Sequence, residues 1–521
     1  MRADALHAVP SPADDAAAGL PPPPDRLWAP WAWIDGAFRE GVLMDIGADH
    51  RFTRVEAGVA APPEGAQVAS GPVLPGLVNA HSHAFQRAFA GLAEERSGTH
   101  DDFWSWRDRM YRVALAITPA EQRAVAAQLA VELLKGGYTE LCEFHYLHHA
   151  RDGARGDDNH ARDGAREDDN HARDGAREDD NHARDGARGD DTHPHAMAHA
   201  VAAGCIEAGL PVTLLPVLYE RAGFDAPTLR RDQRRFAADA AFVRRAFDDL
   251  RGSGAASVRA GIAIHSLRAA APGSIRALAA GFEGVDCPIH VHVAEQEAEV
   301  VQCLAATGRR PIEWLLHEGL LDARWQLVHA THATPSEIEG VAASGAGIVI
   351  CPSTEMNLGD GIPDLPRWLA AGVPIAIGSD SHVVRSAAEE LRWLEGVQRL
   401  VHRRRNVAAA PEAGEAGSAG RLFGRVVEGG ARAAGSATAG LRVGARADLL
   451  VLDPTAPPLL GVPPPAWLAA LCFTGGAGPG VRHVLAAGHW VVRGGHHPHE
   501  AAIAARYAAA VGALLERAAI G

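Results

Sequence analysis

No run of about 20 apolar residues occurs in this chain, which is the length a membrane-spanning helix needs. Positive charge is also in deficit: 50 Lys and Arg stand against 64 Asp and Glu, a formal net charge of −14. Nucleic acid and anionic membranes both reward clustered cations, so neither is expected as the main partner. The opening segment MRADALHAVPSPADDAAAGLPPPP lacks an apolar core and carries several aspartates, so no secretory signal is read there. Cysteine is sparse and scattered (Cys142, Cys205, Cys287, Cys303, Cys351, Cys472), without a C-x-x-C pair. That argues against a disulfide frame or a Cys-type zinc site, and fits buried thiols in the reducing cytoplasm. Lysine is the scarcest charged residue: Lys135 stands alone among the 50 basic residues.

What is present is length and rhythm. A chain of 521 residues suffices for one large core or two to three ordinary domains. Residues 1–26 are Pro/Ala/Asp-rich and read as a disordered tail. Short apolar runs broken by Gly and Asp over 27–73 suggest a small β unit. Eight apolar runs then alternate with segments of helical period: 72–83, 138–146, 212–220, 258–266, 287–295, 325–332, 347–353 and 373–380. Continuous apolar runs are the mark of buried parallel strands, and their alternation with helices predicts a (β/α)8 barrel over 74–431. Strand-like segments return within 432–499. They are expected to join 27–73 in a small composite β-sandwich domain built from both chain ends, with a C-terminal helix over 500–521.

One segment departs from this rhythm. Residues 149–192 are four tandem copies of an 11-residue unit of the type HARDGAREDDN, with 14 acids minus 8 bases giving −6. An 11-residue period suits a right-handed coiled coil only when an apolar seam exists, and here there is none. A solvated, dispensable insertion after the second barrel strand is expected, with metal binding by its periodic histidines as the lesser reading.

The polar residues close the runs. In each one the apolar part comes first and a His, Glu, Tyr, Asp or Ser comes last, which gathers the chemistry at the C-terminal rim of the barrel. His81-Ser82-His83 places two imidazoles on one face of a strand, within reach of one metal. In the fifth run His292 and Glu295 come at the tip, while His290 lies one pleat deeper and takes a packing or supporting role. His329 ends the sixth run and Asp380 the eighth. The blander readings are a helix N-cap for Asp380, a first-turn acid for Glu295 and a hydrogen-bonded core histidine for His329.

Three imidazoles and a carboxylate leave an open position for water on Zn2+, whose pKa falls there to about 7. A carboxylated lysine bridging two metals is excluded, because Lys135 precedes the second strand. One metal per subunit is therefore favoured, with iron or another divalent ion as alternatives to zinc. Glu295 is the natural proton shuttle, and His329 and Asp380 would orient the nucleophile.

These motifs resemble the amidohydrolase superfamily, specifically its mononuclear deaminases, over roughly residues 27–500 apart from the repeat. Narrower stretches resemble the formimidoylglutamate deiminases of histidine degradation: HSHAFQRAFAGLAEERSG with FWSWRDRMYR, EFHYLHH, HSLR, HVAEQ with GRRPIEWL, LVHATH, STEMNLGDGIP and AIGSDSH. The resemblance implies His81, His83, His292 and Asp380 as zinc ligands, Glu295 as acid/base and His329 as the residue orienting hydroxide. It implies substrate contacts at Gln86, Arg107, Tyr146, His265 and Arg268, and a homodimer. The implied substrate, N-formimino-L-glutamate, has two carboxylates, which suit the planar forks of Arg107 and Arg268. Alternatives are another mononuclear deaminase acting on a purine, pyrimidine or guanidino compound, and a catalytically dead ligand-binding barrel.

Overall fold

The computed structural model describes residues 24–96, 103–149, 151, 193–475 and 480–520. The expected tail over 1–26 and the repeat over 149–192 lie outside these residues, apart from their last or first few positions. Seventeen strands are described. Six precede the first barrel helix: β1 (Arg26–Ile34), β2 (Ala37–Ile46), β3 (Phe52–Glu56), β4 (Gln67–Val68), β5 (Val73–Pro75) and β6 (Leu77–Asn79). Next come β7 (Tyr138–His145), β8 (Val212–Leu218), β9 (Val258–Ala260), β10 (Ile262–Ile264), β11 (Ile289–Val293), β12 (Trp325–His329), β13 (Gly347–Ile350) and β14 (Ile375–Ile377). The last three are β15 (Leu449–Leu452), β16 (Val481–Ala486) and β17 (His489–Val492).

Strands β6, β7, β8, β10, β11, β12, β13 and β14 follow one another in a parallel sheet in sequence order. Their cores, such as IHVHV, GIVI and IAI, are β-branched and buried throughout, as strands covered on both faces must be. The ring closes between its first and last strands. Ala80 N–H donates to Ile377 C=O at 2.9 Å, Asp380 N–H to His81 C=O at 3.0 Å, and His83 N–H to Asp380 C=O at 3.2 Å. Gly378 is needed at this seam, because a Cβ there would lie 2.6 Å from His81 Cβ. This is the predicted (β/α)8 barrel.

Two of the eight runs are each cut by a glycine into two strands. The run at 72–83 gives β5 to the terminal sheet and, past Gly76, β6 to the barrel. The run at 258–266 gives β9, which pairs only with β8, and then β10, which pairs with both β8 and β11.

The chain ends build one eight-stranded sheet in the order β17-β16-β15-β5-β1-β2-β3, with β4 on β1. It covers its own apolar cluster, which includes Leu27, Met44, Phe52, Leu449 and Trp490. Helix Glu500–Ala518 then returns to the barrel and packs on helix Pro119–Lys135, where Lys135 Nζ donates to Glu500 Oε1 at 2.8 Å. Helix Pro119–Lys135 starts cleanly: Thr118 and Glu121 form a reciprocal capping box ahead of Pro119. Among the described residues no helix is long and apolar enough to cross a membrane.

Candidate active site

Strand ends on the closing side of the barrel deliver the metal-ligating residue types to one point. His81 and His83 follow β6, His292 lies near the end of β11, His329 ends β12 and Asp380 follows β14. All five are buried. The backbone turns sharply to present them: Ala294, His329, Ala330, Asp380 and His382 all have positive φ, between 47° and 68°. Such conformations cost non-glycine residues of order 1–3 kcal/mol each and cluster where side chains must be aimed.

The imidazoles face one another. His81 Nε2 and His292 Nε2 are 3.0 Å apart, and Asp380 Oδ1 lies 3.5 Å from His81 Nε2 and 3.4 Å from His83 Nε2. His83 Nδ1 sits 3.0 Å from Phe144 C=O and donates to it, so Nε2 keeps its lone pair for the centre. Burial pushes the His81 pKa down to about 3 and lowers those of His83 and His292 as well, which keeps these rings neutral. Burial alone would raise Asp380, but its hydrogen bond with His81 and the surrounding imidazoles hold it below the ordinary carboxylate range. Neutral nitrogens and one carboxylate oxygen converging at one buried point form an N/O donor set that fits a divalent metal.

Glu295 and His329 stand beside this set. His329 Nε2 lies 3.7 Å from Glu295 Oε1 and 3.8 Å from Asp380 Oδ2, and its Nδ1 lies 3.3 Å from Glu355 Oε1. Burial disfavours the imidazolium, yet Glu295, Glu355 and Asp380 outweigh it and raise His329 to about 10. Burial raises the pKa of Glu295; Asp380 adds to that and His329 opposes it. His290 points elsewhere, its Nε2 donating to Ala433 C=O at 2.9 Å, which matches the packing role expected of it.

The five expected substrate contacts line the same pocket as the ligand set: Gln86, Arg107, Tyr146, His265 and Arg268. Gln86 Nε2 donates to Tyr146 Oη at 3.0 Å, leaving Gln86 Oε1 buried without a partner among the described residues. The Arg107 guanidinium packs 4.3 Å from the Trp104 ring centroid, with its Nε unpartnered among the described residues. Burial lowers the Arg107 pKa, and the nearby cations Arg268 and Arg230 lower it further. Burial also lowers His265 well below the usual histidine range, with Arg268 adding to the shift. Tyr146 lines this pocket although the repeat begins three residues later.

Several residues at the site escape sequence reasoning. Ser82, between the two ligand histidines, donates to Glu143 Oε2 at 2.5 Å and contacts His382 Nε2 at 3.1 Å, while Glu143 Oε1 accepts from Ala84 N–H at 2.8 Å. Glu355 supports His329 from the helix that follows β13. Both carboxylates sit in stretches quoted from the sequence, Glu143 in EFHYLHH within β7 and Glu355 in STEMNLGDGIP, but only the packing of the elements shows which neighbour each one holds. A larger cavity, about 460 Å³, opens between helix Pro119–Lys135, helix Ala387–His402 and the terminal sheet. Four of its charged groups pair with one another, Lys135 with Glu500 and Arg385 with Glu132, and Arg392 donates to the Cys472 and Gly475 carbonyls. Lys135 is thereby held outside the site.

Comparison with known proteins places the chain in a family. The sequence profile of the amidohydrolase family matches residues 73–491. The chain is 40% identical over 492 residues to the formimidoylglutamate deiminase of Pseudomonas aeruginosa, covering 94% of this chain and 99% of that protein. It is 27% identical over 423 residues to the 5-methylthioadenosine/S-adenosylhomocysteine deaminase of Natronomonas pharaonis, covering 81% of each. Among solved structures, an amidohydrolase from Brucella melitensis superposes with a TM-score of 0.81 at 36% identity, over 94% of this chain and 99% of that one.

Proposed function

Because the chain belongs to the amidohydrolase family, we propose that it hydrolyses N-formimino-L-glutamate to N-formyl-L-glutamate and ammonia, a step of histidine degradation. The observation that carries this reading is one pocket lined by His83, His292, Asp380 and Glu295 and also by Arg268 and Arg107, whose Nε has no partner among the described residues. A neutral nucleobase would leave those guanidiniums without an anion, which disfavours the nucleoside deaminations of more distant relatives.

His81, His83, His292 and Asp380 would hold one Zn2+ in each chain. When bound, the ion supplies Lewis acidity that brings the pKa of water toward about 7. Arg107 and Arg268 clamp the two substrate carboxylates, and Gln86 Oε1 accepts from the amidinium N–H, so the formimidoyl carbon is presented to the attacking water. Glu295 takes the proton of that water as it adds to the carbon, giving a tetrahedral intermediate. His329, held by Glu355, donates toward the developing oxyanion. Glu295 then returns the proton to the nitrogen, the remaining hydroxyl proton passes to Asp380, and the C–N bond breaks to release ammonia and leave the formyl carbonyl. The six cysteines are buried and unpaired, which supports a cytoplasmic setting; the homodimer rests on family resemblance.

Ammonia release from N-formimino-L-glutamate by zinc-loaded protein is the test. Release well above that of a Glu295→Gln variant is expected; equal rates would reject the reading.

A further inference from the structure

The wall opposite the metal-ligand set carries more than the two arginines. Tyr219, just after β8, and Tyr111, on helix Phe103–Ala116, line the same pocket and are both buried. Buried Gln233, in the 3-10 turn Arg231–Phe236, joins them: its Nε2 donates to Tyr219 Oη at 3.0 Å and to Tyr111 Oη at 3.3 Å. An amide nitrogen that donates to both oxygens leaves both phenol protons available as donors.

The surroundings select what those protons meet. The Arg107 guanidinium sits 5.4 Å from the Tyr111 ring centroid, and Arg268 lines the pocket beside it; Arg230, 5.5 Å from the same ring, is outside the pocket lining and pairs with Asp232. The Tyr219 ring packs 4.4 Å from that of His265. The resulting surface consists of cations and O–H donors, and it is complementary to a carboxylate. We propose that Tyr111 and Tyr219, oriented by Gln233, are specificity-determining residues that complete the carboxylate subsite begun by Arg107 and Arg268. The inference rests on the deiminase reading for the identity of the substrate, but the subsite itself takes any dicarboxylate. Gln233 is a positioning residue, since it acts only through the two phenols.

The test compares wild type with Tyr219→Phe, Tyr111→Phe and the double variant, which keep the rings and their packing. For N-formimino-L-glutamate, KM should rise about tenfold in each single variant and further in the double, as loss of a hydrogen bond to a charged group entails. The kcat values should stay within about twofold. Turnover of formamidine, which carries the reacting group without a carboxylate, should not change in any variant. Glutarate binding, read by calorimetry, should weaken in parallel with KM. If the double variant bound glutarate as tightly as wild type, or if formamidine turnover fell with that of the full substrate, the subsite assignment would be overturned. A wild type that binds glutarate through the two tyrosines yet releases no ammonia from formiminoglutamate would reject the deiminase reading and leave the subsite standing.

Discussion

The two walls of the pocket are built from opposite chemistry. The wall formed by the ends of β6, β11, β12 and β14 presents imidazole nitrogens and carboxylates, groups that bind cations and move protons. The facing wall, from β8, β10 and helix Phe103–Ala116, presents guanidiniums and phenols, groups that can donate to an anion. One wall reacts and the other recognises. The division teaches that rate and affinity should be separable by mutation here: damage to the first wall lowers kcat, and damage to the second raises KM.

The sharpest test of that division is removal of a metal ligand. His292→Ala deletes one of three converging nitrogens, and a site left with three protein ligands should lose most of its metal. Activity should fall by roughly 10⁴-fold or more, in step with the metal content measured by elemental analysis. Chelator treatment of the wild type should reproduce the loss, and added Zn2+ should reverse it only in the wild type. Next in size is Glu295→Gln, which keeps shape and metal but cannot shuttle a proton; a drop in kcat of about 10²–10⁴-fold with bound metal unchanged is expected. If Glu295→Gln instead emptied the metal site, Glu295 would be a ligand and the assignment of roles on the reacting wall would have to change.

Damage to the recognising wall should look different. Arg107→Ala removes a guanidinium from the carboxylate subsite, so KM for N-formimino-L-glutamate should rise by roughly 10–100-fold while formamidine turnover stays put. A matching fall in kcat for formamidine would mean that Arg107 supports the reacting wall, and the comparison would lose its meaning.

The two walls also differ in how readily the sequence reveals them. The reacting wall is legible because its residues fall at the ends of apolar runs, in patterns such as H-S-H and GSDSH whose spacing alone puts donors on one strand face. Lys135 is legible by elimination, and the structure keeps it on the outer helix with Glu500. The recognising wall is only half legible. Arg107, Arg268, Tyr146, His265 and Gln86 follow from resemblance and do lie together, but nothing local marks Tyr111, Tyr219 or Gln233. Gln233 reaches across 122 positions to Tyr111 from an irregular turn, and no periodicity encodes such a contact. The splitting of two runs at Gly76 and Gly261 escapes for a similar reason: an apolar run does not say which neighbour each half will pair with.

The smallest expected effect concerns a carboxylate just behind the reacting wall. Glu390 is fully buried, and its oxygens accept from Ser353 Oγ and Ser353 N–H at 2.5 and 3.0 Å, at the start of the helix that carries Glu355 to His329. Burial raises its pKa to about 8, against about 4.3 in an unfolded chain. Between those values the folded protein holds a proton that the unfolded chain has released, so this group's contribution to stability falls as pH rises from about 4.3 to 8 and levels off above. Glu390→Gln carries no such proton and should flatten that part of the curve. Measured by thermal unfolding, the variant should gain a few degrees relative to wild type between pH 5 and pH 8, with kcat at pH 7 within about twofold of wild type. A large fall in kcat without a change in the pH dependence of Tm would place Glu390 functionally within the reacting wall, and burial alone would no longer separate a supporting carboxylate from a reacting one.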